Sequence, residues 1–292
     1  MALLPFDDRD GVIWFDGKLV PWRDAKLHVL SHGLHYASCV FEGERAYAGK
    51  VFKLSEHSQR LLDSAAVLDM SPIPWSRQDI DDATNAVLKA NNFKDAYVRP
   101  VMWRGSEMMA VSAQNAKPHL AIACWEWPSY FGAEARANGI RLAWAQYRRP
   151  APDTAPTQAK AAGLYMICTL SKHKAQREGF DDALMLDYRG LLAEATGANL
   201  FLVQKGELHT PTPDCFLNGL TRQAVIGLAR DSQIKVVERA IHPDELAQTD
   251  EIFLTGTAAE ITPVGEVQGK KFKVGAVTHK LLDGFDRMVG RV

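Results

Sequence analysis

Lys160 stands as a lone amine among small residues in Pro156-Thr-Gln-Ala-Lys160-Ala-Ala-Gly-Leu-Tyr165. Downstream, Glu194 opens the run Glu194-Ala-Thr-Gly-Ala-Asn199-Leu-Phe201. Two apolar, strand-like runs at 183–186 and 191–192 precede it, which places this carboxylate where a sheet meets a cavity. About one hairpin later, Asn218-Gly219-Leu220-Thr221-Arg222 leads into a helical segment at 223–230. Exposed N–H groups and the positive end of a helix dipole suit a phosphate there. An amine, a carboxylate and an anion cradle are what pyridoxal phosphate requires of a protein: a Schiff-base partner, a pyridinium partner and an anchor. One lysine can act as both Schiff-base partner and proton shuttle. Glu194 would keep the ring nitrogen protonated through a charge-assisted hydrogen bond, and Tyr165 could donate to the ring's phenolate oxygen.

These groups need two layers of elements to hold them. In the first half, 12–15 and 18–20 read as a small hairpin, and 41–47 with 51–52 as another. Apolar positions at helical spacing mark helices at 55–68 and 76–89, each with a serine cap. Near-continuous apolar runs at 96–103 and 119–125 predict strands buried on both faces. Residues 127–139 turn polar and Gly/Pro-spaced, and strand character restarts at 140–145. The expected division is a smaller α+β domain over 1–130, a linker over 131–138 and a larger domain over 139–292. In that larger part, a helix at 164–177, strands at 183–186, 199–203, 234–237 and 251–254, an acidic helix at 243–247 and a last helix at 277–289 alternate irregularly. That order favours α+β or mixed α/β over a doubly wound sheet.

Composition narrows the function classes. The chain has 292 residues, 47% hydrophobic and 24% charged, with formal net charge −1, which makes no electrostatic case for nucleic acid or an anionic membrane surface. No run of about 18 apolar residues predicts a membrane span. The apolar start is followed at once by Asp7, Asp8 and Asp10, unlike a secretory signal. Cys39, Cys124, Cys168 and Cys215 show neither a disulfide framework nor a zinc spacing, so a reducing cytoplasm is the simplest setting. His28, His32 and His35 fall at i, i+4 and i+7, which on one helix could face a metal. With no nearby acid or cysteine to complete a site, a structural role is favoured and no metal is expected. No dinucleotide, P-loop or nucleophile-elbow motif occurs.

The run Glu194-x-x-x-x-Asn199-Leu-Phe201, then Leu208-x-Thr210 and Leu217-x-Gly219-Leu220-x-Arg222, resembles the class-IV aminotransferase signature. Further matches are similar to the branched-chain aminotransferases in particular. They include Ser31-His32-x-Leu34-His35-Tyr36, Val40-Phe41-Glu42-Gly43, Glu56-His57-x-Gln59-Arg60-Leu61 and Tyr97-Val98-Arg99-Pro100. Ala151-Pro152-Asp153-Thr154 and Thr255-Gly256-Thr257-Ala258-Ala259-Glu260-Ile261-Thr262-Pro263 extend the likeness over roughly 12–290. The resemblance implies a two-domain α+β fold of the fold-type-IV class, its larger domain α/β-barrel-like and binding pyridoxal 5′-phosphate. It implies transamination between L-leucine, L-isoleucine or L-valine and 2-oxoglutarate, so that small amino acids and 2-oxo acids are the partners.

By the same resemblance, Lys160 is the Schiff-base lysine, Glu194 the partner of the pyridine nitrogen and Tyr165 the partner of the phenolate oxygen. Arg60, Leu220, Thr221 and Thr257 hold the phosphate. Tyr97 and the Thr257-Ala258 turn receive the substrate carboxylate. Tyr36, Phe41, Val111, Trp127 and Tyr130 line an apolar pocket, while Arg99 at its rim pairs with the distant carboxylate of glutamate. Tyr36 and Val111 reach in from a neighbouring subunit, which makes a homodimer the minimal unit, with higher assembly open. The chain departs from the family at Leu164, Ala193, Ala198, Asn218 and the charged segment 103–109, all of which bear on pocket tuning. D-amino-acid or amine transamination, aminodeoxychorismate lyase activity and a catalytically silent binding protein on the same fold are the alternatives.

Overall fold

The computed structural model describes residues 5–127 and 132–292. They form a mixed helix-and-sheet α+β structure in two compact units that divide after residue 128, with Ala159–Gly163 returning to the first.

The first unit is built on an antiparallel sheet. Its strands run Lys18–Pro21, Val12–Phe15, Pro118–Trp125, Ala96–Arg104, Glu44–Tyr47 and Lys50–Val51, with Cys39–Phe41 also on Ala96–Arg104. Cys39–Phe41 and Glu44–Tyr47 keep one register against that central strand, with Phe41 opposite Val101 and Glu44 opposite Val98. They are one strand interrupted at Glu42-Gly43, where the partner is Pro100. Glu42 N–H donates to the Pro100 carbonyl at 2.8 Å, but proline has no N–H to return. Alternation survives the break. Val40, Glu42, Glu44 and Ala46 are all buried on one face, while Phe41 and Gly43 share the other with Tyr97 and Arg99.

Helices Leu54–Val67 and Arg77–Ala90 belong to the same unit. The second begins with a capping box in which Ser76 and Asp79 satisfy each other's backbone N–H groups. On the far face of the sheet, a cavity of about 330 Å³ lies among apolar residues such as Phe15, Leu34, Val101 and Trp103, with Arg99 on its wall.

The second unit closes part of its sheet. Strands Leu192–Ala195, Asp182–Leu186, Ile140–Trp144, Glu260–Val267, Glu251–Gly256 and Asn199–Gln204 neighbour one another in that order, and Leu192–Ala195 pairs again with Asn199–Gln204. The circuit is shut by the single pair Glu194↔Asn199. Its interior is an aliphatic cluster that includes Leu142, Leu184, Leu200, Leu254 and Val264. Helix Ala276–Met288 packs on Glu251–Gly256 and Glu260–Val267, and helix Leu220–Asp231 packs on Glu251–Gly256.

Several elements differ from the sequence expectation. The segment read as a linker contains a short helix, Ala133–Asn138, stopped at Gly139 with φ 76°. The helix expected at 223–230 starts earlier, at Leu220. The acidic helix at 243–247 is a 3-10 helix, Pro243–Gln248, opened by a proline. His28 precedes the one-turn helix His32–Tyr36, so the three histidines do not share a helical face. His32 Nε2 meets the Ala110 carbonyl and His35 Nε2 the Val29 carbonyl, both at 2.8 Å.

Candidate functional site

In the first unit, Lys160 is tied to the sheet by its backbone. Its N–H donates to Ser64 Oγ at 3.0 Å, its carbonyl accepts from Phe41 N–H at 3.1 Å, and Ala161 bridges Val40. The Lys160 Nζ lies 5.0 Å from the Phe41 ring centroid, which suits a cation over an aromatic face.

Beneath the sheet, Glu42 is wholly buried and receives three bonds. Arg60 Nε and Nη2 each donate at 2.7 Å, and His57 Nδ1 lies 2.7 Å from Oε2. His57 and Arg60 reach it together because residues three apart share a helical face. Burial works to raise the Glu42 carboxyl, yet the Arg60 guanidinium and these hydrogen bonds bring it down to about 2. Burial pushes His57 below its ordinary value despite Glu42, which keeps the ring neutral with its Nδ1–H on the carboxylate. The result is a guanidinium locked in one plane by a bidentate grip.

On the opposite face Tyr97 is buried, and its hydroxyl accepts from Arg99 Nη2 at 3.1 Å. Arg99 lies 4.8 Å from the Phe41 ring centroid and 5.3 Å from that of Tyr97. Trp127 stands 5.5 Å from Tyr97 and accepts from Arg45 at its carbonyl. Gly43 is required here because the Tyr97 hydroxyl occupies the space that a Cβ would take. Tyr36 stacks on His32 with centroids 4.6 Å apart and is 46% exposed, and Val111 is 86% exposed, so neither enters this cluster within the chain. Tyr130 lies outside the described residues.

In the second unit, Glu194 sits at the seam of the closed sheet. Asn199 organises its surroundings. The Asn199 amide donates to Glu194 Oε2 at 3.1 Å and to the Leu217 carbonyl at 3.0 Å, and its Oδ1 accepts from Gly219 N–H at 3.2 Å. One side chain thus couples the carboxylate to the start of helix Leu220–Asp231. Gly219 permits this, since a Cβ there would strike Asn199 Oδ1. The helix's first N–H groups, at Leu220 and Thr221, have no acceptor within the helix. Buried Arg222 holds the turn through Asn218 at 2.8 Å, the Pro211 carbonyl at 3.2 Å and Glu238 at 2.8 Å. Thr257 and Ala258 form the half-buried turn after Glu251–Gly256.

Arg149 is a member that the motifs did not single out. It is 4% exposed, pairs with Glu194 at 3.4 Å and lies 3.5 Å from Cys168 Sγ. Burial acts to lower its pKa, but Glu194, then Cys168 and Tyr165, hold the guanidinium above its ordinary value. Tyr165 closes the 3-10 turn Ala162–Tyr165 and leads helix Met166–Arg177. Nearby, Asp187, Asp214 and Cys215 gather as a metal site might, but Arg189 bridges the two acids at 2.6 and 2.7 Å.

Each unit by itself presents groups of the kinds that a phosphorylated pyridine aldehyde needs. One unit offers an amine and a clamped guanidinium. The other offers a carboxylate held by an amide and an arginine, joined through Asn199 to a helix start. Comparison with known proteins agrees. Residues 39–267 match the amino-transferase class IV family. The branched-chain-amino-acid aminotransferase of Pseudomonas aeruginosa is 44% identical over 292 residues, covering 97% of this chain and 95% of that one. The Escherichia coli K12 protein of the same name is 40% identical over 282 residues, covering 94% and 91%. The crystal structure of the Escherichia coli enzyme superposes with a TM-score of 0.93 at 39% identity, covering 96% of this chain and 95% of that chain. The branched-chain amino acid aminotransferase from Thermobaculum terrenum, in its PLP-bound holo form, gives 0.86 at 28% identity, covering 96% and 94%. The chain belongs to the class-IV aminotransferases and is similar along almost its whole length to the branched-chain-amino-acid members.

Proposed function

We propose that this enzyme transfers the amino group between L-leucine, L-isoleucine or L-valine and 2-oxoglutarate, with pyridoxal 5′-phosphate as cofactor. The observation that carries the reading is near-full-length identity of 44% to a branched-chain-amino-acid aminotransferase. When bound, the cofactor supplies an aldehyde carbon for the amino group and an electron-withdrawing ring. Lys160 Nζ would hold the cofactor covalently until the substrate amine displaces it, and the freed amine would then move the proton at the substrate Cα. Glu194, oriented by Asn199 and Arg149, holds a proton at the ring nitrogen. Tyr165 donates to the phenolate oxygen. Arg60, clamped by Glu42, binds phosphate together with the Leu220 and Thr221 N–H groups and the Thr221 and Thr257 hydroxyls.

Tyr97 and the Thr257-Ala258 turn take the substrate carboxylate. Phe41 and Trp127, with Tyr130, form the apolar wall for the side chain. Arg99, resting on Phe41 and Tyr97, receives the second carboxylate of glutamate when that substrate enters. Tyr36 and Val111 complete the pocket of a second copy in a homodimer. Their exposure, and that of Leu27, Val29, Leu30 and Leu34 nearby in sequence, supports this. A cytoplasmic setting is supported by the four cysteines, which all stand as free thiols. No described helix is long and apolar enough to cross a membrane.

A substrate panel with 2-oxoglutarate as acceptor tests the reading. It uses L- and D-forms of leucine, isoleucine, valine, phenylalanine and alanine. Turnover should concentrate on the L-branched set, and preference for D-alanine or the other D-forms would overturn it. With glutamate and a branched-chain 2-oxo acid assayed as a further pair, Arg99→Ala should cost about tenfold to a hundredfold in kcat/KM for glutamate and 2-oxoglutarate, and far less for leucine, because it removes one charge-assisted hydrogen-bonding partner. Equal losses would sink the dual-substrate account.

Glu194→Ala should lower kcat by about a hundredfold to ten-thousandfold, with a much smaller change in cofactor occupancy, since the phosphate contacts remain. Steady-state kinetics beside the cofactor absorbance of dialysed protein would separate the two, and near-normal kcat would count against the assignment.

A further inference from the structure

Glu44 is the second acid on the buried face of the interrupted strand, one pleat along from Glu42. It is wholly buried, and neither carboxyl oxygen has a hydrogen-bond partner. Its neighbour in register on the central strand, Val98, is apolar.

Arg60 of helix Leu54–Val67 and Asp81 of helix Arg77–Ala90 both act on Glu44 electrostatically. Ser55 Oγ donates to Asp81 Oδ2 at 2.6 Å and fixes which sides of the helices meet. Ser58 and Thr84 follow three residues later on those facing sides, each fully buried. Ser58 Oγ, Thr84 Oγ1 and Asp81 Oδ1 also lack partners. Neither hydroxyl turns back onto its own helix, the usual refuge for a buried helical Ser or Thr.

The charged groups acting on Glu44 are Glu42, Asp81 and Arg60. Arg60 is gripped by Glu42, and His57, which also faces Glu42, is kept neutral by burial. Among the described residues no cation lies within ion-pair distance of Glu44. A buried carboxylate without a counter-charge, beside two other carboxylates, costs too much free energy to persist. Burial first, then Glu42 and Asp81, push the Glu44 carboxyl well above its ordinary value.

We propose that Glu44 is a neutral carboxylic acid in the folded enzyme and a positioning residue, its proton preventing a second negative charge from forming behind the Arg60 anchor. The positioning role rests on the reading of Arg60 as a phosphate ligand. With Glu44 protonated, the Glu42–Arg60 pair is neutral, and the guanidinium can still attract phosphate. With Glu44 ionised, one more negative charge stands behind the anchor, beside Asp81, and weakens its hold on a dianion.

Urea unfolding of the holoenzyme against pH tests the protonation, with Glu44→Gln as the neutral mimic. The unfolded chain ionises Glu44 above its ordinary value of 4.5, whereas the folded chain does not. Relative to Glu44→Gln, the wild-type unfolding constant should therefore rise about tenfold per pH unit above that value, and level off where folded Glu44 ionises. Glu44→Leu keeps the test alive should the glutamine variant fold poorly. The infrared difference between wild type and variant should also show the carbonyl stretch of a protonated carboxyl. A flat stability difference, carboxylate bands alone, or a stoichiometric bound cation in metal analysis of wild type would overturn the neutral acid.

Release of pyridoxal 5′-phosphate on raising pH tests the coupling, and wild type should lose it at lower pH than Glu44→Gln. Coincident release curves would overturn the positioning role. Arg60→Gln serves as the control. Unchanged cofactor retention in that variant would show instead that the anchor reading had failed, while the two protonation measurements stand by themselves.

Discussion

Lys160→Ala should abolish transamination, lowering turnover by about a thousandfold or more, while the protein stays folded. The side chain is asked for two things that no neighbour in its unit can replace: an amine to attach the cofactor and a base to move the Cα proton. Losing a positioned proton-transfer group costs about a hundredfold to ten-thousandfold, and losing covalent attachment adds to that. The fold should hardly register the change. What anchors residue 160 is backbone: its N–H on Ser64 Oγ, its carbonyl on Phe41 N–H, and the Val40–Ala161 bridge. Alanine keeps all three. Among the side chain's own contributions is the approach to the Phe41 ring, worth about 1 kcal/mol at a partly exposed site. Lys160→Arg retains that cation but not the reactive amine, so it should be as inactive as alanine. Transamination rates beside thermal unfolding would check both, and substantial turnover by either variant would contradict the assignment.

Much of this was legible in the sequence because the informative residues are of unusual type for their surroundings. A lysine among alanines, an acid opening an apolar strand and a Gly-Leu-Thr helix start each carry chemistry that their neighbours do not. The central strand Ala96–Arg104 and its partner Pro118–Trp125 were readable as apolar runs, and Ser76 as a cap, because those signals are local. What escaped depends on pairing at a distance. Nothing local says that Glu194 lies opposite Asn199 and closes a ring of strands, or that residues 159–163 return to the first unit. Arg148 and Arg149 are adjacent and alike, and only the fold selects Arg149 for Glu194. Glu42 and Glu44 fall on alternate positions, as the polar residues of an exposed strand face would, yet both are buried on the face of a sheet that packs against two helices. His57 and Arg60, three apart, were the available clue that one of these acids had buried partners.

Glu42→Gln should be the most destabilising of these single substitutions, and its cost should depend on pH. The carboxylate is wholly buried and satisfies Arg60 twice and His57 once. Glutamine can accept one bond from Arg60, but it cannot balance the guanidinium's charge. Breaking a buried pair by removing one partner costs about 3–5 kcal/mol, much of it from the charge left behind. The pair's pH range follows from Glu42's own titration. Its folded value is about 2 and its ordinary value 4.5, so the stabilisation is complete above 4.5 and is lost as pH falls towards 2. That shift corresponds to about 3 kcal/mol, in keeping with the mutational cost.

Wild type should therefore exceed Glu42→Gln in stability by a constant margin at neutral pH, and the two should converge in acid. Glu44, two residues on, works in the opposite direction, because its folded value is raised. The two effects separate only when each variant is compared with wild type across the same pH series. The released Arg60 should also wander from its plane, so Glu42→Gln should retain pyridoxal 5′-phosphate less well at neutral pH while Lys160 and Glu194 remain in place. Denaturant midpoints from pH 3 to 8, beside cofactor absorbance after dialysis, would check this. A stability gap that persisted undiminished in acid would show that Glu42 acts through shape rather than charge.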